Sequence, residues 1–88
     1  MRLMNSGRAR LGMALPRYRP QLRQAKDPCL IDLFEAYALA WSTIEELLQE
    51  YPVRIELITE YRDICADMKA EAVAFLTITD ERLFHDKL

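Results

Sequence analysis

The sequence predicts an all-α protein, and three observations lead to this prediction. Two segments, 28–51 and 53–76, place apolar residues at alternating steps of three and four, which is the spacing of one helix face. No strand-like alternation or internal repeat is present, and 51% of the residues are hydrophobic, too many for a disordered chain. We expect an antiparallel hairpin of two long helices with a short C-terminal helix and a basic N-terminal arm, giving domains 1–26 and 27–88.

The first predicted helix begins at a recognisable signal. Asp27 supplies an N-cap oxygen, and Pro28 is a first helical residue that needs no N–H donor. Aromatic side chains at this helical spacing are typical of a core, which we prefer to an aromatic ligand box. The predicted interaction seam of this helix consists of Leu30, Phe34, Tyr37, Trp41, Ile44 and Leu48, flanked by Leu33, Ala40 and Leu47 on one side.

Pro52 interrupts the helical pattern after Tyr51. A proline inside a helix removes one hydrogen bond and clashes with the preceding turn, at a cost of about 3 kcal/mol. The segment around Pro52 is therefore either a tight corner between two helices or a kink in one long helix.

The second predicted helix has an apolar face and an acidic face. Its seam residues are Ile58, Tyr61, Met68 and Phe75, with Leu57 and Ile64 widening the stripe. Glu56, Glu60, Asp63 and Asp67 form a ridge on the opposite face, which we interpret as solvated. Docking of a basic partner, or of the chain's own arginine-rich segment, is the alternative.

The last twelve residues predict a separate short helix. The β-branched run 77–79 is expected to end the second helix, and Asp80 and Glu81 resemble the acidic first turn of a new one. Leu83 and Phe84 would dock this helix onto the bundle.

Charge divides the chain sharply at residue 26. Residues 1–26 contain seven Lys and Arg and no acid, whereas 27–88 carry all 14 acids and a net charge of −9. For residues 1–12 a flexible tail, a nucleic-acid-binding arm and an organellar presequence remain open. The candidate nucleic-acid contacts are Arg8, Arg10, Arg17, Tyr18, Arg19, Arg23 and Lys26.

The sequence contains no recognisable catalytic or cofactor motif. Neither serine lies in a nucleophile elbow, no glycine-rich loop follows a strand, and His85 is the only imidazole. In the predicted hairpin Cys29 and Cys65 lie about 13 Å apart along the axis, too far for a disulfide. We therefore expect no enzymatic activity, no cofactor, no bound metal and two free thiols in a reducing cytoplasmic compartment. We expect no membrane association, because no apolar run approaches the roughly 20 residues that span a bilayer.

A two-helix hairpin cannot cover two wide apolar stripes by itself. A small core usually needs a disulfide, a metal or oligomerisation, and the first two are not expected here. We predict a homo-oligomer, most simply a dimer that forms a four-helix bundle. The expected function is a protein–protein interaction module, acting as an adaptor, a regulator or an assembly subunit; nucleic-acid binding through the basic arm is the alternative.

One resemblance belongs to that alternative. A basic segment precedes Asp27 to Trp41, which contains Tyr-Ala-Leu-Ala-Trp, and a second amphipathic helix leads to Leu76-Thr77 and Arg82-Leu83. This order resembles the helical core of some phage small terminase subunits. Members of that family form rings that bind DNA during genome packaging, so the resemblance implies an oligomeric DNA-packaging subunit.

Overall fold

The protein is all-α, as the sequence predicts. The computed structural model describes the backbone of residues 3–86 and the side chains of residues 3–78, and this part of the chain contains no strand. Its helices are α1 (Leu3–Ala14), a 3-10 turn (Pro16–Tyr18), α2 (Arg19–Gln24), α3 (Pro28–Leu48) and α4 (Ile55–Asp86).

Helix α3 begins where the sequence predicts. The Asp27 carboxylate accepts a hydrogen bond of 2.8 Å from the backbone N–H of Cys29, and Pro28 is the first helical residue. The helix ends at Leu48, before Pro52, whose predecessor is biased away from helical conformation. Residues 49–54 are not helical, so the chain forms two helices here rather than one long kinked helix.

Helix α4 continues further than predicted. It runs without a break to Asp86 over 32 residues, so the predicted helix end at 77–79 and the separate C-terminal helix are wrong. Threonine and isoleucine lower helix propensity only slightly, and no glycine or proline follows Pro52 to interrupt the hydrogen-bond ladder. The predicted docking contacts of Leu83 and Phe84 lie outside the side chains that the structure describes.

The N-terminal segment differs most from its prediction. Residues 3–14, expected to be part of a basic arm, form a helix that packs along α3. Leu11 is completely buried, and Gly7 brings the α1 backbone against the carbonyl group of Phe34. The close approach is physically reasonable because glycine has no side chain to separate two helix backbones.

Helix α3 is the centre of the fold. α1 and α4 both pack against it, and α2 folds back onto α1. A single hydrophobic core joins Leu11 of α1 and Leu22 of α2 to the buried faces of α3 and α4. The buried hydrophobic residues of α3 and α4 are Leu30, Phe34, Tyr37, Ala38, Ala40, Ile44, Leu47, Ile58, Cys65, Ala72 and Leu76.

The molecule is elongated. Its principal extents are 58, 26 and 20 Å, and its radius of gyration is 14.9 Å, against about 12 Å for a compact chain of this length. Its accessible surface is 6583 Å², whereas a compact monomer of 10.3 kDa exposes about 5,400 Å². The single chain therefore leaves more surface uncovered than a protein of its size usually does.

Candidate interaction surfaces

Most of the predicted interaction seam is the interior of the single chain. Five of its ten residues are buried, four are half-buried, and Leu48 is exposed. Helix α1 covers part of this seam. The prediction had instead assigned the seam to contacts with a second copy of the chain. The buried five are Leu30, Phe34, Tyr37, Ile44 and Ile58, and the half-buried four are Trp41, Tyr61, Met68 and Phe75.

The other flank of α3 is not covered by α1. Contacts of α1 reach Phe34, Trp41 and Glu45, which lie on one side of α3. About 150° around the helix, five small or apolar residues recur at steps of three and four. These residues are Leu33, Ala36, Ala40, Thr43 and Leu47. Ala40 and Leu47 are buried in the core, so the accessible part of the row is Leu33, Ala36 and Thr43.

Helix α4 continues this uncovered surface. Leu33, Ala36, Glu71 and Phe75 line one groove of about 360 Å³ between the two helices. Along α4 the same side repeats at steps of four and three, and most of its side chains are half-buried. We define the open face as Leu33, Ala36 and Thr43 of α3 together with Leu57, Tyr61, Ile64, Met68, Glu71 and Phe75 of α4.

Carboxylates border the open face. All four residues of the predicted acidic ridge of α4 are exposed, as expected for a solvated face: Glu56, Glu60, Asp63 and Asp67. Asp32 lines the same groove as Leu33 and Phe75 on the α3 side. The open face is therefore a mainly apolar strip that contains one carboxylate, Glu71, and has a negatively charged rim.

Arg8 holds α1 and α2 together. One Nη atom donates to the Ala25 carbonyl at 3.1 Å, and the other donates to the Arg23 carbonyl. Its guanidinium also lies 5.2 Å from the centre of the Phe34 ring, within range of a cation–π interaction. Arg8 thus stabilises the end of α2, where helix carbonyls lack partners within the helix.

Two further candidate nucleic-acid contacts are directed toward the protein. Arg10 pairs with Glu45 and lies 5.5 Å from the centre of the Trp41 ring. Tyr18 is half-buried and packs against the core, so its ring is not a free stacking platform for a base.

The remaining four candidates form an exposed basic surface. Arg17, Arg19, Arg23 and Lys26 are all exposed, and none of them forms an ion pair within the described part of the chain. Residues 3–26 contain no acid that could offset these charges. We call these four residues the basic surface.

The two cysteines are free and lie in different environments. Cys29 is exposed at the start of α3, and Cys65 is 3% exposed in the core. Burial raises the pKa of the Cys65 thiol above its ordinary value, with nearby Lys69 and Arg10 opposing the shift. A neutral, buried thiol of this kind is a poor nucleophile.

Comparison with known proteins adds no further information. No protein-family model, no curated protein and no solved structure matches the chain. Among the described residues, no three His, Cys, Asp or Glu side chains are grouped so as to hold a metal ion. In the same part of the chain, no helix combines the length and hydropathy needed to cross a bilayer.

The residues that the sequence analysis missed lie in α1. Gly7, Leu11 and Leu15 are spaced by four residues, and Met4 precedes them by three, which is a helical stripe. The basic residues between them dominated the composition and suggested an arm. The stripe is short and contains a glycine, so periodicity alone gives only a weak signal there.

Proposed function

We propose that this protein is a small non-enzymatic interaction module that self-associates through the open face. In this proposal α3 and α4 form an antiparallel hairpin, and two hairpins pair to give a four-helix bundle in a dimer. Helix α1 covers the opposite side of each hairpin and stays outside the new interface. Partner proteins would bind to the surface of the dimer that remains exposed.

The principal support is the surface that the single chain leaves uncovered. The accessible area exceeds that of a compact monomer by roughly the 800 Å² per partner that a standard interface buries, or more. On the open face, apolar residues of α4 recur at helical spacing. Ile64 is 43% exposed at its centre, and half-buried Tyr61 and Met68 lie one turn away on either side.

The spacing of the open face supports a helix–helix interface specifically. Its six α4 residues alternate steps of four and three, the pattern by which helices interlock in bundles, and its α3 residues follow one another at steps of three and seven. Thr43 is the one hydroxyl on the α3 side, and it already donates to the Leu39 carbonyl at 3.0 Å. Pairing of two open faces would therefore leave no unsatisfied hydroxyl on that side.

The test is a pair of single substitutions. Ile64→Glu places a charge at the centre of the open face, and Met13→Glu makes the same kind of change at a residue of α1 that is 77% exposed. We expect Ile64→Glu to weaken the dimer at least about tenfold in sedimentation equilibrium, because a buried unpaired charge is costly.

Met13→Glu is the matched control and should leave the dimerisation constant unchanged. Circular dichroism of both variants must show the helical content of the wild type. Equal dimerisation of the two variants would show that the open face is not the interface.

A second function, nucleic-acid binding, is supported by the basic surface. Four exposed cations that form no ion pair within the described part of the chain attract a polyanion, and a dimer would present the surface twice. The resemblance to phage small terminase subunits agrees with this combination of self-association and DNA binding. Fluorescence anisotropy with duplex DNA should show binding that weakens about 100-fold from 50 to 200 mM salt, the dependence expected for about four phosphate contacts.

A further inference from the structure

A groove between α1 and α2 collects the arginines of the N-terminal region. It has a volume of about 520 Å³ and is open to solvent on one side. Asn5 and Arg8 of α1 and Arg19 and Arg23 of α2 line it, with Met13 and Leu22 as apolar neighbours. All of its lining residues belong to α1 or α2.

The donors of this groove are not all used by the protein. Arg19 donates from Nε to the Gly12 carbonyl at 3.2 Å, and its two Nη atoms have no partner among the described residues. The side chains of Arg23 and Asn5 also form no hydrogen bond within the described chain. Arg8 is held by backbone carbonyls, and its buried Nε has no acceptor in this part of the structure.

The positions of these donors favour an anion with several oxygens. Arg19 and Arg23 are four residues apart on α2, so their guanidinium groups lie on one side of that helix. Arginine donates two parallel hydrogen bonds to phosphate or carboxylate, and an uncharged amide such as Asn5 adds a further donor. Three guanidinium groups around one groove repel each other, and a bound anion would offset that repulsion.

We propose that the α1–α2 groove binds phosphate groups. Arg19 and Arg23 supply the principal donors, Asn5 supplies an amide donor, and Arg8 is a fixed positive charge in the wall. This inference rests on the second function proposed above, and it narrows the nucleic-acid contact from the whole basic surface to one groove. The phosphate could belong to a nucleic-acid backbone or to a free polyphosphate compound.

The experiment compares two double variants that remove the same charge. Arg19→Gln/Arg23→Gln changes the groove, and Arg17→Gln/Lys26→Gln changes the basic surface outside it. Anisotropy of a labelled 20-base-pair duplex is measured at 50 mM salt with the full chain, and inorganic tripolyphosphate is added as competitor. We expect the groove variant to lose at least about tenfold more affinity than the control variant, since it loses bidentate contacts as well as charge.

A third variant separates charge from geometry. Arg23→Lys keeps the charge and removes the bidentate fork, and it should bind several-fold more weakly than the wild type. Displacement of the duplex by millimolar tripolyphosphate, with the same dependence on Arg19 and Arg23, would identify a free polyphosphate as a ligand. Duplex binding that depends on the groove and resists this competitor would identify the nucleic-acid backbone.

Two results would overturn the proposal. The first is an equal loss of affinity in the two double variants, which would show that net charge alone attracts the DNA. The second is a wild-type chain that binds neither duplex nor tripolyphosphate at 50 mM salt. Sedimentation of the same samples reports self-association separately, so failure of the groove is distinguishable from failure of the open face.

Discussion

Gly7 lies where α1 crosses α3, and it sets the distance between the two helices. A Cβ atom at this position would overlap the carbonyl oxygen of Phe34 and would lie 2.9 Å from the Phe34 Cα atom. The obstacle is backbone rather than a flexible side chain, so a larger residue requires α1 to move. Gly12 is also buried, yet a Cβ atom there would meet only the Arg19 side chain at 3.6 Å.

Alanine at these two glycines should change stability in opposite directions. Gly7→Ala should lower the free energy of unfolding by about 1–3 kcal/mol, the usual cost of overpacking, or more if α1 detaches. Gly12→Ala should be neutral or raise it by up to about 1 kcal/mol, because alanine favours the helix and meets ordinary van der Waals contact. Urea unfolding followed by circular dichroism measures both, and a neutral Gly7→Ala would contradict the close crossing.

We predict that the protein loses stability in alkaline solution because the side chains of Cys65 and Tyr37 are buried. Burial raises the pKa of Cys65 above 9.0 and the pKa of Tyr37 above 10.0. The unfolded chain therefore releases these protons at a lower pH than the folded chain does. The free energy of unfolding should fall as pH rises above 9.0, and no change from these groups is expected below that value.

The measurement is urea unfolding between about pH 8 and pH 10.5. Tyr37→Phe removes one of the two groups and should reduce the fall in stability above pH 10.0. Tyr51→Phe is the matched control, since Tyr51 is 98% exposed and should leave the pH dependence unchanged. A wild-type stability that stays constant over this pH range would contradict the burial of both groups.

At the scale of single residues, the sequence predicted what depends on local chemistry. The N-cap at Asp27 and the exposure of the α4 carboxylates follow from capping and periodicity, and the structure agrees with both. The roles of Gly7 and Arg8 depend on contacts with residues more than 14 positions away. A pattern read along one segment contains no information about such contacts.

Helix α1 adds a third long helix to the core, which the sequence predicted to consist of a two-helix hairpin. Leu11 projects from α1 into the same cluster as Phe34 and Ile44. The burial of Leu11 explains why the wide apolar stripe of α3 contacts two helices of the same chain, α1 and α4. It also explains why much of the predicted seam is unavailable to a second copy.

Two leucines of α1 provide a direct comparison. Leu11→Ala should lower the free energy of unfolding by about 2–5 kcal/mol, because Leu11 is fully buried and its removal leaves a cavity. Leu3→Ala should change it by less than about 0.5 kcal/mol, because Leu3 is 44% exposed at the end of the same helix. Chemical denaturation measures both changes. Equal, small effects of the two substitutions would show that residues 3–14 are an arm that does not contribute to the core.

The boundaries of α3 and α4 show where periodicity succeeds and fails. Both helices were predicted because each has more than four turns of regular apolar spacing. The continuation of α4 through 77–79 was missed because β-branched residues weaken a helix without removing a hydrogen bond. Proline, in contrast, removes a donor, and helix α3 indeed ends before Pro52.

The molecule as a whole separates its charges, and this affects assembly. The open face has an acidic rim, whereas the basic surface lies on α2 and the residues that flank it. In the proposed dimer the two acidic rims approach each other. Added salt screens that repulsion, so dimerisation should strengthen between low and moderate ionic strength while DNA binding weakens.

The fold class was predictable because helix spacing is local, whereas the assembly depends on which apolar surface the single chain leaves uncovered. Leu33, Leu57 and Ile64, which flank the predicted seam, belong to the open face, whereas the flanking residues Ala40 and Leu47 are buried in the core. The predicted interface lay on the neighbouring stripe, part of which α1 covers in the structure. Which apolar stripe stays exposed depends on tertiary packing, which no single segment encodes.

The mass of the full chain in solution tests self-association most directly. We predict that light scattering after size exclusion gives about twice the chain mass of 10.3 kDa at micromolar concentration, with dissociation on dilution. A mass of one chain at every concentration, with helical content intact, would contradict the proposed dimer.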